Sequence, residues 1–268
     1  MMLLQAKNIG KSYQTHSLMG SSPARLILDD VSLNIQEGET IALLGRSGCG
    51  KSTLARQLCG LEYPETGEVL YQGSSTRKLT REQTRLFRRD VQMVFQDSPS
   101  AVDPRMTVKS IIEEPLRHLT ELKGEQRLTR IVELLDMVEL TKDLLNKLPS
   151  QISGGQLQRV CIARALAANP KLIILDEAVS NLDTHLQASA LKLLTKLQDS
   201  QKVSYLFVTH DLRLVERFAD RILVMENGRF VEEQNNGDIE MLSHPASIEL
   251  KNAILPALPQ NKFEMEVA

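Results

Sequence analysis

Apolar and polar positions first alternate with a period of two. Val31, Leu33 and Ile35 are separated by polar residues, which predicts a strand with one buried face. Residues 41–44 form a short apolar run that ends in glycines, the pattern of a central parallel strand covered on both faces. Residues 52–59 predict a helix closed by Gly60, and residues 69–71 and 91–95 predict further strands. The pattern then turns helical from 107 to 148. There Leu128, Ile131, Leu134, Leu135 and Val138 are expected to share one apolar stripe, and Pro115 to kink or start a helix. Alternation resumes with a helix at about 156–168, ended by Asn169-Pro170, a buried strand at 172–175, a helix at 186–197 and a strand at 205–208. Residues 222–225 and 229–232 flank Asn227-Gly228, a strong hairpin signal. Residues 247–254 predict a last helix, before a tail with Pro256 and Pro259. The sum is an α/β fold, a mostly parallel sheet with helices on both faces and a helical arm inserted into it.

Composition narrows the function without naming it. With 268 residues, 42% of them hydrophobic, the chain can bury a sizeable core as one large domain or two small ones. A net charge of −2 gives no broad basic surface and does not favour nucleic acid as a partner. Arg85, Arg88 and Arg89 gather locally and read as a solvated helix face. Cys49, Cys59 and Cys161 form no C-x-x-C, which points to a reducing compartment and away from structural zinc. The N-terminus has no cationic segment ahead of an apolar one, so no secretion signal is expected. The longest apolar runs fall far short of the roughly 20 residues of a spanning helix, so any membrane-embedded part belongs to other chains.

Residues 45–52 read G-R-S-G-C-G-K-S, a match to G-x-x-x-x-G-K-[ST]. Glycines let the backbone curl until several N–H groups point at phosphates, and the following helix adds its positive end. Gly45, Arg46, Ser47, Gly48, Cys49, Gly50, Lys51, Ser52 and Thr53 are therefore candidate nucleotide contacts. Lys51 is expected to reach the β- and γ-phosphates, and Ser52 to ligate Mg²⁺. Asp176-Glu177 follows the apolar run 172–175, at the end of a central strand where such folds bind ligands. Asp176 suits the Mg²⁺ shell and Glu177 a general base, although strand-end acids are often only solvated. Ser153-Gly154-Gly155-Gln156 makes a second anion nest ahead of a helix, or else a flexible cap. One nucleotide does not need two cradles. Either each chain has two sites, or this nest serves a nucleotide held by another subunit.

In kind and order these blocks resemble the ATP-binding subunit of ABC transporters, over nearly the whole chain. That resemblance implies a P-loop NTPase domain with a RecA-like core, an N-terminal antiparallel β region and an inserted helical subdomain. The core would span about 1–96 and 156–242, the arm 97–155 and the tail 243–268. Gln96 matches the Q-loop, Ser180-Asn181-Leu182-Asp183 the D-loop and His210 the switch histidine. The resemblance implies ATP and Mg²⁺, with Glu177, His210 and Gln96 catalytic and Ser52, Gln96 and Asp176 around the metal. Asp183 would join the nucleotide contacts, and Tyr13 would stack on adenine, an ordinary strand tyrosine being the alternative. It also implies a head-to-tail pair of ATPases, in which ATP lies between one chain's phosphate loop and its partner's Ser153–Gln156 segment.

The stretches from Phe87 to Ser98, from Ala101 to Arg105 and from Ala178 to Ser180 resemble the peptide/nickel branch of importers. His244-Pro245-Ala246-Ser247 is similar to that branch's His-Pro-Tyr-Thr motif but lacks the tyrosine, and Ile152 replaces the usual leucine. The tail holds no cysteine, which excludes a metal cluster there. Branch resemblance implies a peripheral subunit on the cytoplasmic face of the inner membrane. Its partners would be a second ATPase, as a sister chain, two membrane-spanning permeases and, indirectly, a periplasmic-type binding protein. Nickel or a nickel complex is the implied cargo, with a peptide or metal chelate as the alternative. A nucleic-acid-associated ABC ATPase is disfavoured, because Ser52 and Ser153 are only 101 positions apart and there is one cassette. Finally, Cys49 lies beside Lys51 at a helix start, which favours its thiolate and a lowered pKa. The alternative is a small side chain turned into the protein, as expected of Cys161.

Overall fold

The computed structural model describes residues 2–14, 16–17, 20–21, 24–178, 184–215 and 218–253. Strand β1 (Met2–Tyr13) is followed by the two-residue strands β2 (His16–Ser17) and β3 (Gly20–Ser21), then by β4 (Arg25–Gln36) and β5 (Thr40–Leu44). Helix α1 (Lys51–Leu58) leads to β6 (Thr66–Tyr71), β7 (Ser74–Ser75), α2 (Arg81–Asp90) and β8 (Val91–Val94). A helical stretch holds α3 (Val108–Leu119), α4 (Glu125–Met137) and α5 (Gly154–Leu166). The chain then runs through β9 (Leu172–Asp176), α6 (Thr184–Gln201), β10 (Ser204–Thr209), α7 (Leu212–Val215), β11 (Arg221–Glu226), β12 (Arg229–Asn235) and α8 (Pro245–Asn252).

The main sheet has the order β12-β11-β5-β10-β9-β8, parallel throughout except for β12. A second, antiparallel sheet has the order β4-β1-β6-β7. Alternating side chains divide the interior. Ile41, Leu43, Leu172, Ile174, Leu206 and Val208 face α1 and the antiparallel sheet, whose Leu4, Ile9, Val31 and Ile35 share their core. Ile173, Leu175, Tyr205 and Phe207 point the other way, into a core with Ile111, Ile131, Leu135, Val160 and Leu194 of the helices. Central strands are thus covered on both faces, which is why they read as unbroken apolar runs. Burying each such Leu or Ile contributes about 1.5–3 kcal/mol before packing losses are counted.

Local signals act as expected at the ends of elements. Gly60, at φ +72°, closes α1 as a left-handed cap. Asn227 and Gly228, at φ 50° and 81°, supply the two positive dihedrals of a type I′ turn between β11 and β12. Three expectations need correction. Leu128 leaves the apolar stripe: it lies in the first turn of α4, ahead of the helix's buried positions, and is 40% exposed. Of the two roles expected of Pro115, starting a helix falls away, since it sits inside α3, the position of the other role, and α3 begins at Val108 behind the Thr107 cap. Lacking an N–H, it leaves one i→i−4 bond of α3 unmade. Helix α5 begins at Gly154, two residues earlier than expected, because Ser153 and Gln156 form a capping box. The described helices include none long and apolar enough to cross a membrane.

Candidate nucleotide site

Four neighbouring parallel strands end on one edge, and each delivers a polar group there. β5 runs into Gly45, β10 into His210, β9 into Asp176 and Glu177, and β8 through Phe95 into Gln96. Registers Thr209↔Leu44, Val208↔Asp176 and Val94↔Leu175 bring these ends level. In open parallel sheets this carboxyl edge is where ligands bind.

The phosphate loop is held in its curl by its neighbours. A Cβ on Gly45, at φ +155°, would meet the Met225 carbonyl oxygen at 2.4 Å, and one on Gly50, at φ +114°, the Ile27 carbonyl at 2.8 Å. Gly48 has nothing within 4 Å of its missing Cβ, and Arg46, Ser47 and Gly48 are exposed. Helix α1 begins after Gly50 with no side-chain cap, so its first N–H groups are open to an anion. Lys51 is 4% exposed and donates from Nζ to the carbonyls of Gly45 at 2.7 Å and Arg46 at 3.1 Å, along the inside of the loop. This cradle fits a polyphosphate.

Beside it, Ser52 Oγ donates to Asp176 Oδ1 at 2.9 Å. Burial pushes the Asp176 carboxyl upward, opposed by the Ser52 hydrogen bond. Two hard oxygen donors this close suit Mg²⁺. Glu177 gathers the remaining groups. Its Oε2 accepts from Gln96 Nε2 at 2.8 Å, and its Oε1 lies 3.6 Å from His210 Nδ1 and 4.0 Å from Lys51 Nζ. Its backbone sits at φ 47°, uncommon for a residue with a side chain and the kind of local strain that collects at functional sites.

Tyr13 is 41% exposed and hydrogen-bonds through its hydroxyl to Glu62, with Thr53 of α1 as a second neighbour. Burial and the Glu62 carboxylate raise its pKa. The hydroxyl is thereby tied to Glu62, in the segment after α1, and Lys11 Nζ lies 5.1 Å from the ring centroid. Cys49 corrects an expectation. Its sulfur turns inward, where a Cβ on Gly45 would meet it at 2.7 Å, and burial outweighs Lys51 to push the thiol pKa up rather than down. Cys161 is buried and likewise raised by burial.

The second nest is built differently. Ser153 Oγ accepts from Gln156 N at 3.2 Å while Gln156 Oε1 accepts from Ser153 N at 2.9 Å, and Gly154 has nothing within 4 Å of its missing Cβ. No hydrogen bond among the described residues joins Ser153–Gln156 to the phosphate loop. Asp183, with the rest of the 180–183 segment, lies outside the described residues, as do Ile254, Pro256 and Pro259.

Some contacts were not foreseen from the sequence. Gln158 is buried and hydrogen-bonds from Nε2 to the Ala178 carbonyl, tying the helix behind the second nest to the segment after Glu177. A glutamine inside the apolar face of α5 was the available signal. The β11–β12 turn supports the phosphate loop from behind, with Gly228 N donating to Cys49 O at 3.0 Å. That contact spans most of the chain and leaves no local pattern.

A phosphate cradle, a hydroxyl–carboxylate pair and a glutamate hydrogen-bonded to glutamine and flanked by lysine and histidine define a P-loop nucleotide hydrolase of the ABC kind. The ABC transporter family model matches residues 28–180, and the chain belongs to that family. It is 60% identical over 264 residues to the nickel import ATP-binding protein NikE of Brucella suis biovar 1 (strain 1330), covering 98% of this chain and 99% of the relative. Identity to the protein of that name from Escherichia coli O157:H7 is 54% over 266 residues, 99% of each chain. Among solved structures, the ATP-binding cassette MJ0796, a dimer in a post-hydrolysis state with ADP and Pi, matches at TM-score 0.77 and 35% identity. That match covers 87% of this chain and 98% of the other. CbiO1 of Clostridium perfringens, part of the cbiONQ ABC transporter complex, matches at TM-score 0.73 and 26% identity, over 88% and 89%.

Proposed function

We propose that this chain is the ATP-hydrolysing motor subunit of a membrane importer for nickel or a nickel complex. The observation that carries the hydrolytic half is Glu177, whose carboxylate stands among Gln96, His210 and Lys51 beside the phosphate cradle. The nickel half is supported by the high full-length identity to nickel import ATP-binding proteins.

In this reading Gly45 to Thr53 wrap the phosphates, Lys51 exchanges its loop carbonyls for β- and γ-phosphate oxygens, and Tyr13 stacks on adenine. Glu177 accepts the proton of the attacking water, a role worth about 10²–10⁴ in rate. Gln96 holds that carboxylate and orients the water, and His210 reaches the γ-phosphate. Ser52, Asp176 and Gln96 would hold Mg²⁺, which supplies positive charge to the phosphate oxygens. The Ser153–Gln156 nest and Asp183 complete the site of a second ATPase, a sister chain in a head-to-tail pair. Two permease subunits, fed by a periplasmic-type binding protein, carry the cargo. The motor sits on the cytoplasmic face of the inner membrane.

Uptake of radioactive nickel by cells whose only copy carries Glu177→Gln tests both halves. Loss of nickel uptake, with the variant still binding ATP, is expected. Normal nickel uptake alongside lost dipeptide uptake would move the cargo to peptides, and unimpaired ATP hydrolysis by the purified variant would remove Glu177 as base.

A further inference from the structure

The C-terminal helix reaches back to the phosphate loop. Glu232 of β12 gathers the start of α8, accepting from Ser243 N at 2.6 Å, from His244 N at 3.2 Å and from the Ser247 hydroxyl. His244 caps the helix itself, its Nδ1 accepting from Ala246 N at 3.2 Å. Ala246 and Leu250 are buried on Ala42, Leu44, Ile222 and Val224 of the main sheet. With its start fixed and its apolar face seated, α8 projects Glu249 toward the nucleotide site. Glu249 Oε2 lies 3.0 Å from Arg46 Nη1, and Arg46 is the first variable residue of the phosphate loop. Arg46 is also linked to the loop's chemistry, since its carbonyl accepts from Lys51 Nζ. Between loop and helix runs a cleft lined by Arg46, Ser47, Met225, Asn227, Ala246 and Leu250.

We propose that Glu249 is a positioning residue for the phosphate loop: it engages the Arg46 guanidinium in competition with nucleotide phosphates, so that the seating of the C-terminal helix sets nucleotide affinity. This goes beyond the hydrolytic role but rests on the reading of residues 45–53 as the phosphate site. Both side chains are largely exposed, at 73% and 60%. Such a pair is worth little in stability and exchanges readily, as a latch opened by a ligand must. Its influence on an incoming polyanion is electrostatic, and salt must screen it.

The test is equilibrium binding of a fluorescent ATP analogue to the full-length protein, with inorganic triphosphate as competitor. Glu249→Gln should lower Kd by about three- to tenfold in low salt, for the analogue and for triphosphate alike, and the gain should shrink toward nothing at about 1 M salt. In an Arg46→Ala background, Glu249→Gln should change nothing further. An unchanged or weaker Kd in Glu249→Gln at low salt overturns the latch. So does a gain of equal size without Arg46, which would mean that the carboxylate acts on phosphates directly. If the wild-type protein takes up neither ligand, the phosphate-site reading falls and the latch with it. If it binds both and Glu249→Gln matches it, only the latch falls.

Discussion

The chain carries two anion nests of similar composition and opposite completeness. In the phosphate loop, glycines are pinned by backbone from β4 and β11, and Lys51, Asp176, Glu177, Gln96 and His210 converge beside it. The Ser153–Gln156 nest is closed by its own capping box, with Ser153 and Gly154 exposed, Gly155 and Gln156 partly buried and, among the described residues, no candidate catalytic group hydrogen-bonded to it. In the proposed reading, the first contains what hydrolysis asks of one chain. The second keeps only the N–H groups that its capping box leaves free at the start of α5 and, among the described residues, meets no candidate catalytic group. The proposed head-to-tail pair gives such a nest its purpose, since a second subunit then brings a nucleotide to it.

Substitutions can break that contrast, and the largest effect belongs to the complete site. Glu177→Gln should lower steady-state hydrolysis by about 10²–10⁴ while leaving ATP binding in place, because the amide cannot take the water's proton. With MgATP it should also trap the closed pair, seen as a larger species by size exclusion. Next come the glycines. Gly45→Ala meets a backbone carbonyl at a positive φ and should cost about 2 kcal/mol in thermal or denaturant unfolding, whereas Gly154→Ala, facing open space, should stay within about 0.5 kcal/mol. Equal costs would mean that the two nests are equally constrained.

Much of this was legible in the sequence. The phosphate loop, the strand-end carboxylates and the Asn-Gly turn are written in short local spacings, where backbone geometry dictates residue type. What escaped depends on distant partners. The inward turn of Cys49 was one of two sequence readings, and packing around Gly45 and Met225 decides for it where its immediate neighbours do not. Exposure of Leu128 follows from where the helical core ends, which periodicity alone does not locate. Glu249 meets Arg46 across 203 positions, and an exposed acid on a terminal helix looks like any other.

Smaller effects sharpen the same contrast. Since burial raises the Cys49 thiol, maleimide should label it slowly at pH 7 and faster only in alkaline solution, and Cys49→Ser should stay active. Rapid loss of activity at pH 7 that is absent in Cys49→Ser would restore a reactive thiol to the loop. At Glu232, burial pushes the carboxyl up, but hydrogen bonds from Ser247, Ser243 and His244 outweigh it and leave the pKa lowered. A group whose folded pKa is depressed contributes stability above its unfolded value and loses it as pH falls through the folded one. Seating of α8 should therefore weaken only in acid, below the ordinary carboxylate range. Proteolytic protection of residues 245–252 measured against pH, with Glu232→Gln as the control that abolishes the dependence, checks this.

Photolabelling of the assembled ATPase pair with an ATP analogue, with Ser153→Arg in this chain alone, addresses the central claim most directly. If the two nests serve two nucleotides in two subunits, this chain's own phosphate loop still labels, while hydrolysis at the partner's site falls because a bulky cation fills the nest meant for that γ-phosphate. Disappearance of label from this chain alone would place both nests on one nucleotide in one subunit and contradict the account.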